Sequence, residues 1–336
     1  MATKPSEDSV VAGDLRTLSS PGDLVSVRDF APRDAEALLE LTALLKLRPR
    51  DFRATLAGKQ IVLFFEKPSL RTRLTFEAGI NALGGSSFFV DQTHCRLGQR
   101  EPLRDVAHNV ERWVDGLVLR TFAHATVAAM AEFASIPVIN ALSDYEHPCQ
   151  AFADFFTLQE KFGELNKLKL AYVGDGNNVA HSLLLAAATL GSHIAMATPK
   201  GYEPCAKIVA AAKAIAELTG ATLELTHDPA QAAAGAKAIY TDVWASMGQE
   251  SEAEARRAAF APYQVNRKLM ACADANAVFM HCLPAHRGDE VTEKVIDGPA
   301  SIVFEQAENR LHVQKAILMM LLGKGMRRFG PRSAQA

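Results

Sequence analysis

From Gln60 onward the chain alternates short apolar runs with stretches of helical period, and few folds accommodate that alternation. Strands are predicted at Ile61 to Phe65, Ser87 to Val90, Gly116 to Leu119 and Val138 to Asn140, with helices over Arg71 to Leu83, Pro102 to Trp113 and His124 to Phe133 between them. A long helix from Cys149 to Phe162 follows, and strands resume at Lys169 to Val173, His193 to Ala197, Thr222 to Leu225, Ala238 to Tyr240 and Val278 to His281. Order of this kind builds parallel sheets covered by crossover helices. At 336 residues the chain passes the ~250–300 at which a single core stops growing. The expectation is an α/β protein of two domains, each a parallel-sheet sandwich, with the active site in the cleft between them. Residues 1–23, rich in Ser, Asp, Gly and Pro, read as a flexible tail, 24–150 as the first domain and 151–305 as the second. Residues 306–336 carry a C-terminal helix, about Ala307 to Leu322, expected to pack back on the first domain.

Composition narrows the function. The formal charge is -2 and the basic residues are dispersed, so no footprint for nucleic acid or an anionic membrane is present. The longest apolar stretch, Val179 to Ala197, is interrupted by His181, Ser182, Thr189 and His193, which suits a buried helix and a strand rather than a membrane span. Cys95, Cys149, Cys205, Cys272 and Cys282 form no C-x-x-C pair, and no secretory signal precedes them; they read as reduced thiols of a cytoplasmic protein. The expected ligand is small.

In open α/β sheets ligands lie beyond the carboxyl ends of the strands. After the first strand comes Glu66-Lys67-Pro68-Ser69-Leu70-Arg71-Thr72-Arg73, with Ser69 placed to cap the next helix. The free amides of a helix start, the Ser69 and Thr72 hydroxyls and the Arg71 guanidinium suit a phosphate dianion. The bland alternative is an ordinary capped helix with solvated arginines. The third strand brings Arg120 to the same rim, and the fourth leads to His147-Pro148-Cys149-Gln150, where Pro148 starts a helix. His147, Thr72 and Arg120 are candidate donors to a carbonyl oxygen that becomes negative.

In the second half, Gly174-Asp175-Gly176-Asn177-Asn178-Val179 opens a helix but has Val179 in place of the third glycine of a dinucleotide fingerprint, so no nucleotide cofactor is expected. Its turn would expose Asn178 to an amino acid's α-groups. Asp242, in Asp242-Val243-Trp244-Ala245-Ser246-Met247-Gly248, suits an ammonium group or a helix cap. His281-Cys282-Leu283-Pro284-Ala285-His286 raises two further readings, a zinc site and a Cys282 nucleophile with a histidine base.

Together S-L-R-T-R at Ser69, R-T-F at Arg120, H-P-C-Q at His147, D-G-N-N at Asp175, D-V-W-A-S-M-G at Asp242, H-C-L-P at His281 and E-N-R at Glu308 resemble the ornithine carbamoyltransferase family, in its order, from about Leu24 to Leu322. Aspartate carbamoyltransferases share S-x-R-T and H-P-x-Q, whereas S-M-G and H-C-L-P point to ornithine. The resemblance implies a carbamoyl-phosphate-binding first domain and an ornithine-binding second domain. Ser69, Leu70, Arg71, Thr72 and Arg120 would hold the phosphate, and His147, Gln150, the backbone at Cys282 and Leu283, and Arg310 the carbamoyl end. Asn178, Asp242, Ser246 and Met247 would contact ornithine, with Cys282 near the reacting amine. Arg120, His147, Cys282 and Arg310 are the residues it assigns to catalysis, which it implies proceeds without metal or cofactor. It implies transfer from carbamoyl phosphate to the δ-amine of L-ornithine, giving citrulline, in arginine biosynthesis or less often catabolism, by a homotrimer or multiple of trimers. Acetylornithine or putrescine as acceptor, or a noncatalytic relative, are the alternatives. Two positions depart from the pattern: Leu70 replaces a common Thr, and Arg96 a common Gln that reaches carbamoyl phosphate, so that Arg96 either substitutes as a phosphate contact or faces solvent.

Overall fold

The computed structural model describes residues 22–91, 96–245 and 250–323. The chain divides into two compact units, one of residues up to 25, 29–141 and from 312 onward, the other of 26–28 and 142–311. No helix among the described residues is long and apolar enough to cross a membrane.

The first unit opens with α1 (Pro32–Leu47) and continues as β1 (Gln60–Phe65), α2 (Leu70–Ala82), β2 (Ser86–Asp91), α3 (Leu103–Val110), β3 (Gly116–Arg120), α4 (His124–Phe133) and β4 (Val138–Leu142). The sheet runs β2-β1-β3-β4, and β1 is parallel to both neighbours. β3 is buried throughout and β1 from its second residue, whereas β2 at the edge is only partly covered. That contrast is why the central strands read as unbroken apolar runs: helices cover both faces of a parallel sheet. Val62, Leu117, Val127 and Met130 belong to one core under α3 and α4.

Three local differences from the sequence reading stand out. Helix α1 precedes the alternating region and was not anticipated, although Pro32 at its start and the buried Ala35, Leu38, Leu41 and Leu45 mark a helix with one apolar stripe. Helix α3 ends at Val110, three residues earlier than predicted, where the Glu111 carboxylate accepts the Ser135 backbone N–H at 2.6 Å. The C-terminal helix begins earlier, at Val303.

The second unit contains α5 (Pro148–Phe162), β5 (Lys169–Val173), α6 (Asn178–Thr189), β6 (His193–Ala197), α7 (Ala206–Thr219), β7 (Leu223–Thr226), α8 (Pro229–Ala233) and β8 (Ala238–Thr241). It continues with α9 (Ala253–Phe260), α10 (Arg267–Met270), β9 (Val278–His281), α11 (Glu293–Ile296) and α12 (Val303–Leu322), whose residues from His312 belong to the first unit. Its sheet runs β7-β6-β5-β8-β9, all parallel. Every residue of α6 after Asn178 is buried, which accounts for its apolar character on all sides. In the first unit Leu322 of α12 lies against Gly116, where a Cβ would come within 3.0 Å of its side chain.

Each strand order reverses once: between β1 and β3 in the first sheet, between β5 and β8 in the second. Such switch points leave a crevice at the carboxyl ends of the two strands. Motifs with unusual polar residues follow these four strands, and two more follow their neighbours β4 and β9.

Candidate active site

In the first unit Phe65 and Arg120 face each other at the ends of β1 and β3, and the ladder continues one step as the Glu66 N–H donates to the Arg120 carbonyl at 2.8 Å. The Glu66 carboxylate then accepts the Phe122 N–H at 2.8 Å, tying the two rim loops together. Ser69 caps α2, its hydroxyl accepting the Thr72 N–H at 3.2 Å. That cap uses the third amide of the turn; the amides of Leu70 and Arg71 precede it. Thr72 and Arg120 are buried, Ser69 and Arg71 half-buried, and the Leu70 side chain is 73% exposed, so Leu70 offers this rim its backbone alone. Arg73 points elsewhere, pairing with Glu77 at 3.2 Å and lying over the Phe89 ring.

Arg96 is exposed yet has a definite seat. Its guanidinium lies 3.9 Å from the centroid of the Phe122 ring, and the Lys67 ammonium lies 4.5 Å from the same centroid. One ring, two residues beyond Arg120, therefore holds two cations at the rim of the sheet.

In the second unit His147 occupies the cap position before Pro148, the first residue of α5, and its N–H donates to the buried Ser182 hydroxyl at 2.8 Å. Gln150, one turn into the helix, is buried, and its Nε2 donates to Asp154 Oδ1 at 2.7 Å. The β5 loop places Gly176 so close to the next crossover that a Cβ would meet the Pro204 nitrogen at 2.3 Å, which excludes any side chain. Asn177 caps α6, and its Nδ2 donates to Asp242 Oδ2 at 2.8 Å. Asn178 is half-buried, with its Nδ2 donated to the Ser143 carbonyl at 2.6 Å. Asp175 is paired with Arg256 at 2.9 Å, yet burial still holds its carboxyl up at about 6.

Asp242 and Cys282 follow the adjacent strands β8 and β9, and the thiol donates to Asp242 Oδ1 at 3.1 Å. Burial, reinforced by the Asp242 charge, pushes the Cys282 thiol well above its usual range. A neutral, hydrogen-bonded thiol is a donor rather than a nucleophile. Leu283 has φ 59°, and its N–H donates to His281 Nδ1 at 2.9 Å, so the proton of His281 sits on Nε2, 3.2 Å from Glu290 Oε1. Asp242, His281 and Cys282 offer donor atoms within 4.8 Å of one another, but both nitrogens of His281 are thus engaged and the zinc reading lacks its third ligand. No helix starts directly after Asp242 among the described residues, and its Oδ2 accepts from Asn177 instead of from a following backbone amide. Arg310, on α12, is buried. Ser246 and Met247 lie outside the described residues.

Comparison with known proteins decides the lineage of this arrangement. The model of the aspartate/ornithine carbamoyltransferase carbamoyl-phosphate-binding domain matches residues 22–160, and that of the Asp/Orn-binding domain matches residues 166–321. The chain belongs to the aspartate/ornithine carbamoyltransferase family. An ornithine carbamoyltransferase of Symbiobacterium thermophilum is 52% identical over 304 residues, covering 89% of this chain and 97% of its own. An anabolic ornithine carbamoyltransferase of Pyrococcus furiosus is 46% identical, covering 90% and 96%. The solved ornithine carbamoyltransferase of Pyrococcus furiosus superposes with a TM-score of 0.88 at 45% identity over 92% of this chain and 99% of its own, and that of Gloeobacter violaceus with 0.83 at 47% over 91% and 100%.

Within this family frame several residues that shape the rims escaped the sequence reading. Asn177, next to the anticipated Asn178, is the one that reaches Asp242; Asx-type capping in the D-G-N-N turn was the available signal. Glu66, Lys67 and Phe122 stand within the quoted motifs without an assigned part. Asp154 and Glu290 are buried carboxylates behind Gln150 and His281, and no local pattern marks Glu290.

Proposed function

We propose that this protein is an ornithine carbamoyltransferase, moving the carbamoyl group of carbamoyl phosphate to the δ-amine of L-ornithine to give L-citrulline and phosphate. The observation that carries the choice of acceptor is the Asp242–Cys282 contact at 3.1 Å, which sets an ionisable carboxylate and a neutral thiol at neighbouring strand ends. A cationic or proton-releasing amine suits that pair, whereas a second dicarboxylate such as aspartate would meet repulsion. The relatives named above carry the same activity in their names.

Carbamoyl phosphate has a dianionic end and an amide-like end. Ser69, the Leu70 amide, Arg71, Thr72 and Arg120 suit the first, with Arg96 as an added cation held at Phe122. His147, Gln150, Arg310 and the backbone at Cys282 and Leu283 suit the second, and Asn178, Asp242, Ser246 and Met247 the ornithine. The neutral δ-amine attacks the carbonyl carbon, its lone pair forming the new C–N bond as the carbonyl oxygen becomes an oxyanion. Collapse expels phosphate with the electrons of the C–O bond, and the amine nitrogen releases a proton. Arg120 and Thr72 of the first unit and His147 of the second are the donors this reading assigns to the oxyanion. Binding carbamoyl phosphate first and then ornithine supplies the proximity. The same reading places the enzyme in the cytoplasm as a homotrimer working in arginine biosynthesis.

The test is an acceptor panel. Purified protein is incubated with carbamoyl phosphate and ornithine, acetylornithine, putrescine or aspartate, without added metal or nucleotide, and the carbamoylated product is assayed. Citrulline from ornithine ahead of every other product is the expected result; equal use of acetylornithine or putrescine, or no product from a folded protein, refutes it.

A further inference from the structure

Gln150 projects from α5 one turn beyond His147, and its amide could present either its nitrogen or its oxygen to a ligand; the surrounding groups fix the choice. At the far end of the network the His281 N–H donates to Gln306 Oε1 at 2.9 Å. That contact commits Gln306 Oε1 as an acceptor, so its other end is Nε2, which donates to Asp154 Oδ1 at 2.7 Å. Asp154 Oδ1 is thus an acceptor of this network. Gln150 Nε2 donates to the same Oδ1 at 2.7 Å. This series of hydrogen bonds leaves Gln150 Oε1 facing away from Asp154. That oxygen is buried and meets no hydrogen-bond donor among the described residues.

We infer that Asp154 is a positioning residue that sets the specificity of the carbamoyl subsite, by holding Gln150 so that only its oxygen is offered to the ligand. This rests on the carbamoyltransferase reading of Gln150. An oxygen acceptor buried without a donor is matched by an –NH2 group and penalises a methyl of the same size, because the methyl leaves the oxygen unpaired. The subsite would thus distinguish a carbamoyl group from an acetyl group through an acceptor that Asp154 orients but that touches the ligand itself.

The experiment compares two stable phosphonates that differ only at that point, phosphonoacetamide with –NH2 and 2-oxopropylphosphonate with –CH3, by titration calorimetry on the full-length protein. The wild type should prefer phosphonoacetamide by on the order of tenfold. Asp154→Leu, which keeps the branched shape and removes the acceptor, should bring the two affinities within about twofold while binding of inorganic phosphate stays unchanged. Asp154→Asn, able to place its own Oδ1 where both donors converge, should restore the preference. Should Asp154→Leu fail to fold, Asp154→Ala makes the same comparison. An undiminished preference in the apolar variants overturns the inference, and so does equal loss of both phosphonates and of phosphate, which marks Asp154 as structural. A wild type that binds both phosphonates equally overturns it too, and there the fault lies with the reading of Gln150 rather than of Asp154.

Discussion

Asp154 carries a second consequence, for stability. It is buried, and burial pushes its carboxyl from an ordinary 3.8 up to about 7, with the Gln150, Gln306 and Tyr240 side chains and the Arg310 charge opposing the rise. Because the folded-state value lies above the unfolded one, the folded protein holds a proton that the unfolded chain releases between those two values. Stability is therefore greatest below the ordinary value and declines as pH rises toward about 7. Each tenfold change in proton affinity is worth about 1.4 kcal/mol, so the full decline is on the order of 4 kcal/mol, of which roughly 2 to 3 kcal/mol falls between about pH 5 and pH 8. Asp154→Asn removes the titration while keeping the shape. Urea unfolding midpoints of both proteins at about pH 5 and pH 8 isolate the effect, since the exchange of a protonated acid for an amide is the same at both. The variant should gain roughly 2 to 3 kcal/mol on the wild type over that range. A difference between the two proteins that does not change with pH would show that Asp154 is ionised throughout and would refute the argument.

Three further outcomes are expected. Arg71→Ala should weaken inorganic phosphate as a ligand and carbamoyl phosphate as a substrate by roughly 10- to 100-fold, as loss of a charge-assisted contact implies; unchanged kinetics would remove Arg71 from the phosphate rim. Asp242→Asn should raise the ornithine KM or depress kcat by on the order of tenfold and leave phosphate affinity intact; weakened phosphate binding would contradict the division of roles. Limiting iodoacetamide followed by peptide mass mapping should find Cys205 modified ahead of Cys149 and Cys282. The Cys205 thiol is held low by the Lys207 backbone N–H and the Tyr145 hydroxyl, whereas burial drives Cys149 up to about 12 and Cys282 well above its usual range. Earlier modification of Cys282 would mean that its thiol ionises readily.

Sequence patterning revealed most of the fold for a physical reason. Central parallel strands such as β3 and β5 lie in sheets covered on both faces, so their residues appear as short apolar runs whose ends are visible to within about a residue. The rims were equally legible, because Ser69, Arg71, Arg120, His147 and Asp242 each follow a strand whose end the pattern marks. What stayed hidden depends on contacts between distant segments. Asp154 and Gln306 lie 152 residues apart and meet only once α12 is laid against α5, and Asn309 of the same helix donates to Thr157 and Glu160 at that seam. Whether Arg96 faced solvent or a ligand turned on where the Phe122 ring sits, which a loop decides. Cys282 offered a nucleophile by its neighbours in sequence and became a hydrogen-bond donor by its neighbours in space.

The neutrality of Cys282 bears directly on the proposed chemistry. Attack requires the δ-amine of ornithine to lose its proton, and every negative charge nearby holds that proton more tightly. Asp242 supplies one such charge, useful for drawing in a cation. A thiolate 3.1 Å away would supply a second and raise the amine's affinity for its proton, leaving the bound acceptor as an inert ammonium. Burial prevents this by keeping the sulfur protonated, and the S–H then donates to Asp242 Oδ1 while Asn177 occupies Oδ2. Two donors on one carboxylate disperse its charge, so in the proposed chemistry Asp242 would orient an amine without fixing it in the protonated state. The Cys282 sulfur thus contributes by what its environment prevents, and this is the physical reason that a cysteine beside two histidines need not act through covalent catalysis or through a metal.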